Sequence, residues 1–205
     1  GVPRRMHTEL LQAEKTEHVA RAADLLRQGR IVAFPTETVY GLGARADDAG
    51  AVAELRRLKR RPEDKKFALL AASADDAFRH GTPGPAARAL ADAFWPGPLT
   101  LVISDGRGGE VGLRCPDCRV TLELLRQVGA ALAAPSANLS GQAPPSTAAQ
   151  VMRAFAGQIP AVLDGGPVRL GVVSTVVRVL GREIEVLREG ALPAARLRAV
   201  LRACL

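Results

Sequence analysis

Ile31-Val-Ala-Phe-Pro-Thr-Glu-Thr-Val-Tyr-Gly-Leu-Gly43 is the stretch around which the chain is organised. Its opening, Ile31 to Phe34, has the composition of a buried strand, and Pro35 stops it. Three hydroxyl-bearing side chains and one carboxylate follow, then two glycines. Strand, polar turn, glycines: that order sets binding groups at the end of a sheet, where open α/β sheets take their ligands. A strand followed by an ordinary polar loop is the alternative. The spacing Gly41-x-Gly43-x-x-Ala46, with Asp64 about twenty residues on, also resembles a dinucleotide fingerprint. In a true fingerprint the glycines themselves open the helix, whereas here the polar turn Pro35 to Tyr40 intervenes and the helix cap comes later.

Working outward, Thr16 and Glu17 open a helical pattern (Val19, Ala22, Ala23, Leu26) that Gly29 can close. Asp47 or Asp48 caps a second helix carrying Val52, Leu55 and Leu58, which Pro62 ends. Strands are expected at Phe67 to Ala72, Leu99 to Ser104, Val111 to Arg114, Ala131 to Ala134, Ala161 to Leu163, Val172 to Val179 and Ile184 to Leu187. Helices are expected at Ala74 to Phe94 (broken near Gly81 to Pro85), at Thr121 to Val128, from Ser146 or Thr147 through Phe155, and from Pro193 on. Strands and helices intermingle with no repeat and no linker, which predicts one α/β domain. The Leu99–Arg114 and Val172–Leu187 pairs are spaced like hairpins, so the sheet should be mixed.

Of the 205 residues, 47% are hydrophobic but only 3% aromatic, so the core is built from Leu, Val and Ala. The net charge of +7 favours an anionic partner such as a nucleotide or RNA. Three cysteines do not make a disulfide framework, which suits a reducing cytosol. No run approaches the ~18 apolar residues of a membrane span. The expectation is a soluble cytoplasmic protein without a membrane partner.

The residues that could carry chemistry are cationic and hydroxylic. Lys59, Arg61 and Lys65 cluster where the second helix runs out into a loop, a pattern suited either to complementing the helix dipole or to clamping a polyphosphate. Arg114 ends a strand. Ala134-Pro-Ser-Ala-Asn-Leu-Ser-Gly141 repeats the design of the first stretch: apolar strand, proline, then hydroxyl and amide groups. Ser174 and Thr175 place further hydroxyls against a strand. Cys115-Pro-Asp-Cys118 has metal or redox spacing, but no second pair and no nearby histidine completes a zinc site. No P-loop motif and no nucleophile–base pair stands out. Ser146-Thr147 reads as a helix cap.

Seven elements in order then resemble one family. They are Pro35-Thr-Glu-Thr-Val-Tyr-Gly-Leu-Gly43, Lys59-x-Arg61-Pro62, Trp95-Pro-Gly-Pro-Leu-Thr100, Val111-Gly-Leu-Arg114-x-Pro116, Ala134-Pro-Ser-Ala-Asn138-x-Ser-Gly141, Leu163-Asp-Gly-Gly166 and Ser174-Thr-Val-Val177. Together they are similar to the YrdC/TsaC-like threonylcarbamoyl-adenylate synthases, over about residues 16 to 203. The resemblance implies a single YrdC-like α/β domain across residues 1–205, with a twisted mixed sheet flanked by helices and a large basic concave cavity. It implies a nucleotidyltransferase that uses ATP, L-threonine and bicarbonate or CO₂ to make threonylcarbamoyl-AMP and pyrophosphate. That product feeds the threonylcarbamoyladenosine (t6A) modification of tRNA by a downstream transferase complex, with tRNA itself as a further partner. Mg²⁺ would arrive on ATP, with no metal ligand from the protein. Lys59 and Arg61 look like the catalytic cations. With Lys65, Ser136, Asn138 and Arg188 they look like the ATP contacts, and Thr36, Arg114 and Ser174 like the threonine contacts.

The chain departs from the family pattern in four places. Lys66 and Leu70 stand where members often carry Pro and His, Cys118 replaces another frequent His, and Arg188-Glu-Gly190 replaces Arg-Pro-Gly. These bear on amino-acid specificity. The chain ends about where the synthase domain ends, so the second domain of longer relatives is expected to be absent. The competing expectation is a non-catalytic, RNA-binding YciO-like or YrdC-like paralogue.

Overall fold

The computed structural model describes residues 5–205. Strand β1 (Glu9–Gln12) leads to helix α1 (Thr16–Arg27), then β2 (Val32–Phe34), β3 (Gly41–Arg45) and α2 (Ala49–Lys59). Next come β4 (Leu69–Leu70), α3 (Ala74–Phe78), α4 (Pro85–Phe94), β5 (Leu99–Ser104), β6 (Glu110–Arg114) and α5 (Arg119–Val128). The rest is β7 (Leu132–Ala133), α6 (Ala148–Phe155), β8 (Ala161–Asp164), β9 (Thr175–Leu180), β10 (Glu183–Arg188) and α7 (Ala194–Cys204). Among the described residues the strands form one ten-stranded sheet in the order β1-β8-β2-β3-β7-β4-β6-β5-β9-β10.

The sheet is mixed, as the hairpin spacings predict. β5 and β6 pair antiparallel, as do β9 and β10. Parallel pairs join β1 to β8, β2 to β8, β4 to β6 and β5 to β9. Because side chains alternate across a strand, Ala33 faces a core with Leu55 and Phe155 from α2 and α6. Val32 and Phe34 face the other core, with Leu26 of α1 and Leu124 of α5. A third core joins α4 and α7 to β5, β6 and β9 around Leu90, Leu101, Val177 and Leu197. Among the described residues no helix is long and apolar enough to cross a membrane.

Three local differences from the sequence-based expectation have physical causes. Gly41 and Gly43, expected only to follow the polar turn, lie in a strand of their own, β3, paired with β2 at Phe34↔Gly41 and Val32↔Gly43. Leu42 and Ala44 enter the α2–α6 core, while the glycines turn their bare faces to the fully buried Phe34 ring. A Cβ at Gly43 would overlap the ring edge, so glycine here makes room for an aromatic neighbour rather than for a phosphate. Gly43→Ala is therefore expected to destabilise the protein by about 1–3 kcal/mol, the usual cost of overpacking, measured as a lower midpoint in urea unfolding.

Helix α2 stops before Pro62. Arg60 takes a left-handed conformation at φ 51° and caps the helix, and Asp48 caps its start by accepting from the Ala51 N–H at 3.0 Å. Strand β1, four residues with two acidic or amide side chains, is too short to announce itself by periodicity. Thr147 caps α6 in a full capping box with Gln150, as the sequence suggests.

Candidate functional site

Five strand ends and one helix end open into a cavity of about 750 Å³. The loop after β2 supplies Thr36 and Thr38, the end of α2 supplies Lys59 and the loop beyond it Arg61. The end of β6 supplies Arg114, and the loop after β7 supplies Ser136. Ser174 just before β9 and Arg188 at the end of β10 complete the set. Seven of the nine residues singled out in the sequence, Thr36, Lys59, Arg61, Arg114, Ser136, Ser174 and Arg188, thus line one hollow. Lys66, Asp64 and Glu110 join them, so five cationic side chains face two carboxylates on the lining.

Lys65 and Asn138 are placed elsewhere. Lys65 is exposed, and its carbonyl rather than its ammonium is engaged, accepting from Arg56 and Arg61. The Asn138 side chain is turned onto its own loop: its Nδ2 donates to the carbonyls of Leu139 (2.9 Å) and Gln142 (3.1 Å), and its Oδ1 accepts from Ser136 Oγ. Its amide orders the loop that carries Ser136.

The cations are held by the backbone. Lys59 Nζ donates to the carbonyls of Ser136 (2.9 Å) and Asn138 (2.6 Å), which ties the end of α2 to that loop. Burial, with the nearby Arg61 charge, pushes its pKa down from 10.5 to about 8. Arg61 is half-buried rather than free in solvent: it donates to the carbonyls of Lys65 (3.3 Å) and Lys66 (2.7 Å) and stands 5.0 Å above the Phe67 ring. Burial and Arg56 lower its pKa. The aromatic floor and two carbonyls fix the guanidinium plane.

The opposite end of the cavity is built from hydroxyls. Thr36 Oγ1 donates to the Val39 carbonyl at 2.6 Å and accepts from the N–H groups of Thr38 and Val39, so it shapes the polar turn. Arg114 is buried: its Nε donates to the Gly97 carbonyl (3.2 Å), its Nη1 to Thr38 Oγ1 (3.1 Å) and its Nη2 to Glu37. Burial lowers the Arg114 pKa and the Glu37 carboxylate opposes that shift. Ser174 Oγ lies 2.9 Å from Thr100 Oγ1 and accepts from Arg188 Nη2 at 3.1 Å, while its carbonyl accepts from Arg188 Nε and Nη2.

Sequence reasoning missed Glu37, Thr38 and Thr100 as supports, although all three stand inside motifs it quoted. It also passed over Gly190, where a Cβ would overlap the backbone of Val173 and Ser174. The signal for these lies in which loops meet, not in spacing along the chain.

Cys115 is buried and its thiol is pushed up to about 11, chiefly by burial, the opposite of an activated thiolate. Among the described residues no cluster of three or more His, Cys, Asp or Glu side chains could hold a metal ion.

Comparisons place this geometry among known proteins. A family model named Sua5/YciO/YrdC, described as "Telomere recombination", matches residues 24–190. A Bacillus subtilis protein named threonylcarbamoyl-AMP synthase is 40% identical over 196 residues, covering 89% of this chain and 56% of the relative. Among solved structures, Pyrococcus abyssi Sua5 complexed with L-threonine superposes with a TM-score of 0.87 at 36% identity, over 95% of this chain and 61% of that one. E. coli YciO shares the fold, with a TM-score of 0.82 at 20% identity over 91% of this chain and 98% of that one. The chain thus spans a little over half the length of the first two.

Proposed function

The chain belongs to the Sua5/YciO/YrdC family, and from that membership and the cavity we propose that it is a threonylcarbamoyl-AMP synthase. It takes L-threonine, CO₂ or bicarbonate, and ATP. The threonine amine adds to the carbon of CO₂ and loses a proton, giving a carbamate. A carbamate oxygen then attacks the α-phosphorus of ATP, and the bond to the β-phosphate oxygen breaks to release pyrophosphate. The reaction class is nucleotidyl transfer. The product supplies a transferase that modifies tRNA, in the cytoplasm.

One observation carries the reading: cations and hydroxyls from the distant segments 36, 59–61, 114, 136, 174 and 188 converge on one hollow of about 750 Å³, a size suited to a nucleotide and a small amino acid. In the proposed arrangement Lys59 and Arg61 neutralise charge moving onto the pyrophosphate, with Arg188 and Ser136 nearby for the nucleotide. Thr36, Arg114 and Ser174 hold the threonine. Lys65 and Asn138 support the nucleotide side through the loops they belong to. No side chain forms a bond to substrate, so positioning and fixed charge carry the rate. Mg²⁺ would come on the triphosphate, and no step here depends on it.

The test is pyrophosphate release on mixing ATP, L-threonine and bicarbonate. Threonine-dependent release is expected; release that ignores threonine, or none, overturns the assignment. The competing RNA-binding reading predicts salt-sensitive RNA binding without turnover.

Lys59 adds a pH signature. Its charge is lost as pH rises through about 8, so the affinity for a non-hydrolysable ATP analogue should fall between about pH 7 and about pH 9, approaching tenfold per unit above 8. Lys59→Arg should flatten that profile, because guanidinium stays charged. Stability moves the other way. Between about pH 8 and pH 10.5 the unfolded chain binds more protons at this residue than the folded one, so this group makes the fold more stable as pH rises through that window. Calorimetric titration at each pH checks the first statement and thermal unfolding the second.

A further inference from the structure

The Glu37 carboxylate is almost completely enclosed, with 1% of its side chain exposed, and takes no part in the chemistry above. One oxygen accepts from Arg114 Nη2 and the other from the Asp117 N–H at 2.9 Å. Its backbone carbonyl accepts from the Leu170 N–H at 2.9 Å, in the loop that leads to Ser174. One residue therefore joins the turn after β2, the end of β6, the loop before α5 and the loop before β9.

The donors of Arg114 can be counted. A guanidinium has five N–H groups. Three are used, by Gly97, Thr38 and Glu37. One N–H on each terminal nitrogen has no partner among the described residues, while the side chain lines the cavity. A carboxylate can accept one bond from each terminal nitrogen of a guanidinium.

We propose that Glu37 is a positioning residue for amino-acid recognition, locking the Arg114 guanidinium so that its free N–H pair meets the α-carboxylate of the substrate. The inference rests on the synthase reading above. Three fixed acceptors leave the guanidinium one orientation. Without the Glu37 charge, Arg114 keeps two neutral acceptors and gains the freedom to turn away from the cavity.

The experiment compares wild type with Glu37→Gln, and reads KM for L-threonine, KM for ATP and the preference for L-threonine over L-threoninamide, which lacks the carboxylate. The amide of Gln keeps the volume but must present a donor either to Arg114 or to the Asp117 N–H, so the charge and one of the two bonds are lost and the lock is weakened. Expected is a rise of at least tenfold in KM for threonine, with KM for ATP within threefold. The preference over threoninamide should fall from at least thirtyfold to under threefold. A purely structural role would lower the active fraction and move neither the ratio of the two KM values nor that preference.

Glu37→Asp retains the charge but withdraws it by one methylene, and should fall between wild type and Glu37→Gln. It carries the same comparison if Glu37→Gln does not fold. Unchanged KM for threonine and unchanged preference, or equal rises in both KM values, overturn the proposal. A wild-type protein with no threonine-dependent pyrophosphate release overturns the synthase reading and this inference together. An active wild type with unaffected Glu37 variants overturns this inference alone.

Discussion

Arg61→Ala should lower threonine-dependent pyrophosphate release roughly a hundred- to a thousand-fold, the usual loss when one preorganised group facing developing charge is removed. The guanidinium is not simply present near the cavity. Two loop carbonyls and the face of Phe67 hold it in one plane, so it needs no reorganisation as charge moves. The same contacts set the structural cost. Two hydrogen bonds at the cavity rim and one ring contact are worth about 1–2 kcal/mol together, or roughly 2–8 °C in Tm for a chain of this size. Activity and stability should therefore separate by far more than either alone would suggest. Steady-state kinetics beside a thermal scan checks this. A Tm loss beyond about 10 °C, or a rate loss under tenfold, would show that the residue mainly holds its loop.

Arg114→Ala should instead act first on the fold. It leaves the Glu37 carboxylate buried with only the Asp117 N–H for company. Breaking a buried pair on one side costs about 3–5 kcal/mol, because the remaining charge is stranded. The corresponding fall in Tm is roughly 6–20 °C. Replacing both partners with apolar residues of similar length (Arg114→Met with Glu37→Met) should recover at least half of that loss, since no charge is left behind. Neither variant should turn over substrate. Chemical unfolding of the two variants and wild type gives the comparison, and a single variant that loses less than about 1 kcal/mol would contradict the burial argument.

The positions of the cavity-lining groups were legible because proline and small polar residues after an apolar run mark the end of a strand. Pro35-Thr36 after β2 and Pro135-Ser136 after β7 follow that rule, and the sheet brings both into one hollow. The place of the glycines in β3 was not legible for a reason that spacing cannot reveal: their need is set by the Phe34 ring on the neighbouring strand. Asn138 and Lys65 were placed in the cavity by their neighbours in the motifs. Yet a side chain that finds two carbonyls on its own loop stays there, as Asn138 does. Arg61 stands among charged residues in the sequence, which say nothing of its aromatic floor: Phe67, six positions on, folds beneath it.

The ammonium of Lys59 has three N–H groups and spends two of them as a rivet between a helix and a loop. The third is spare. An incoming anion can accept from that free arm while the rivet stays in place, so the wall of the hollow is already standing when a ligand arrives. The ordering of that wall belongs to folding, once per molecule, and not to each catalytic cycle.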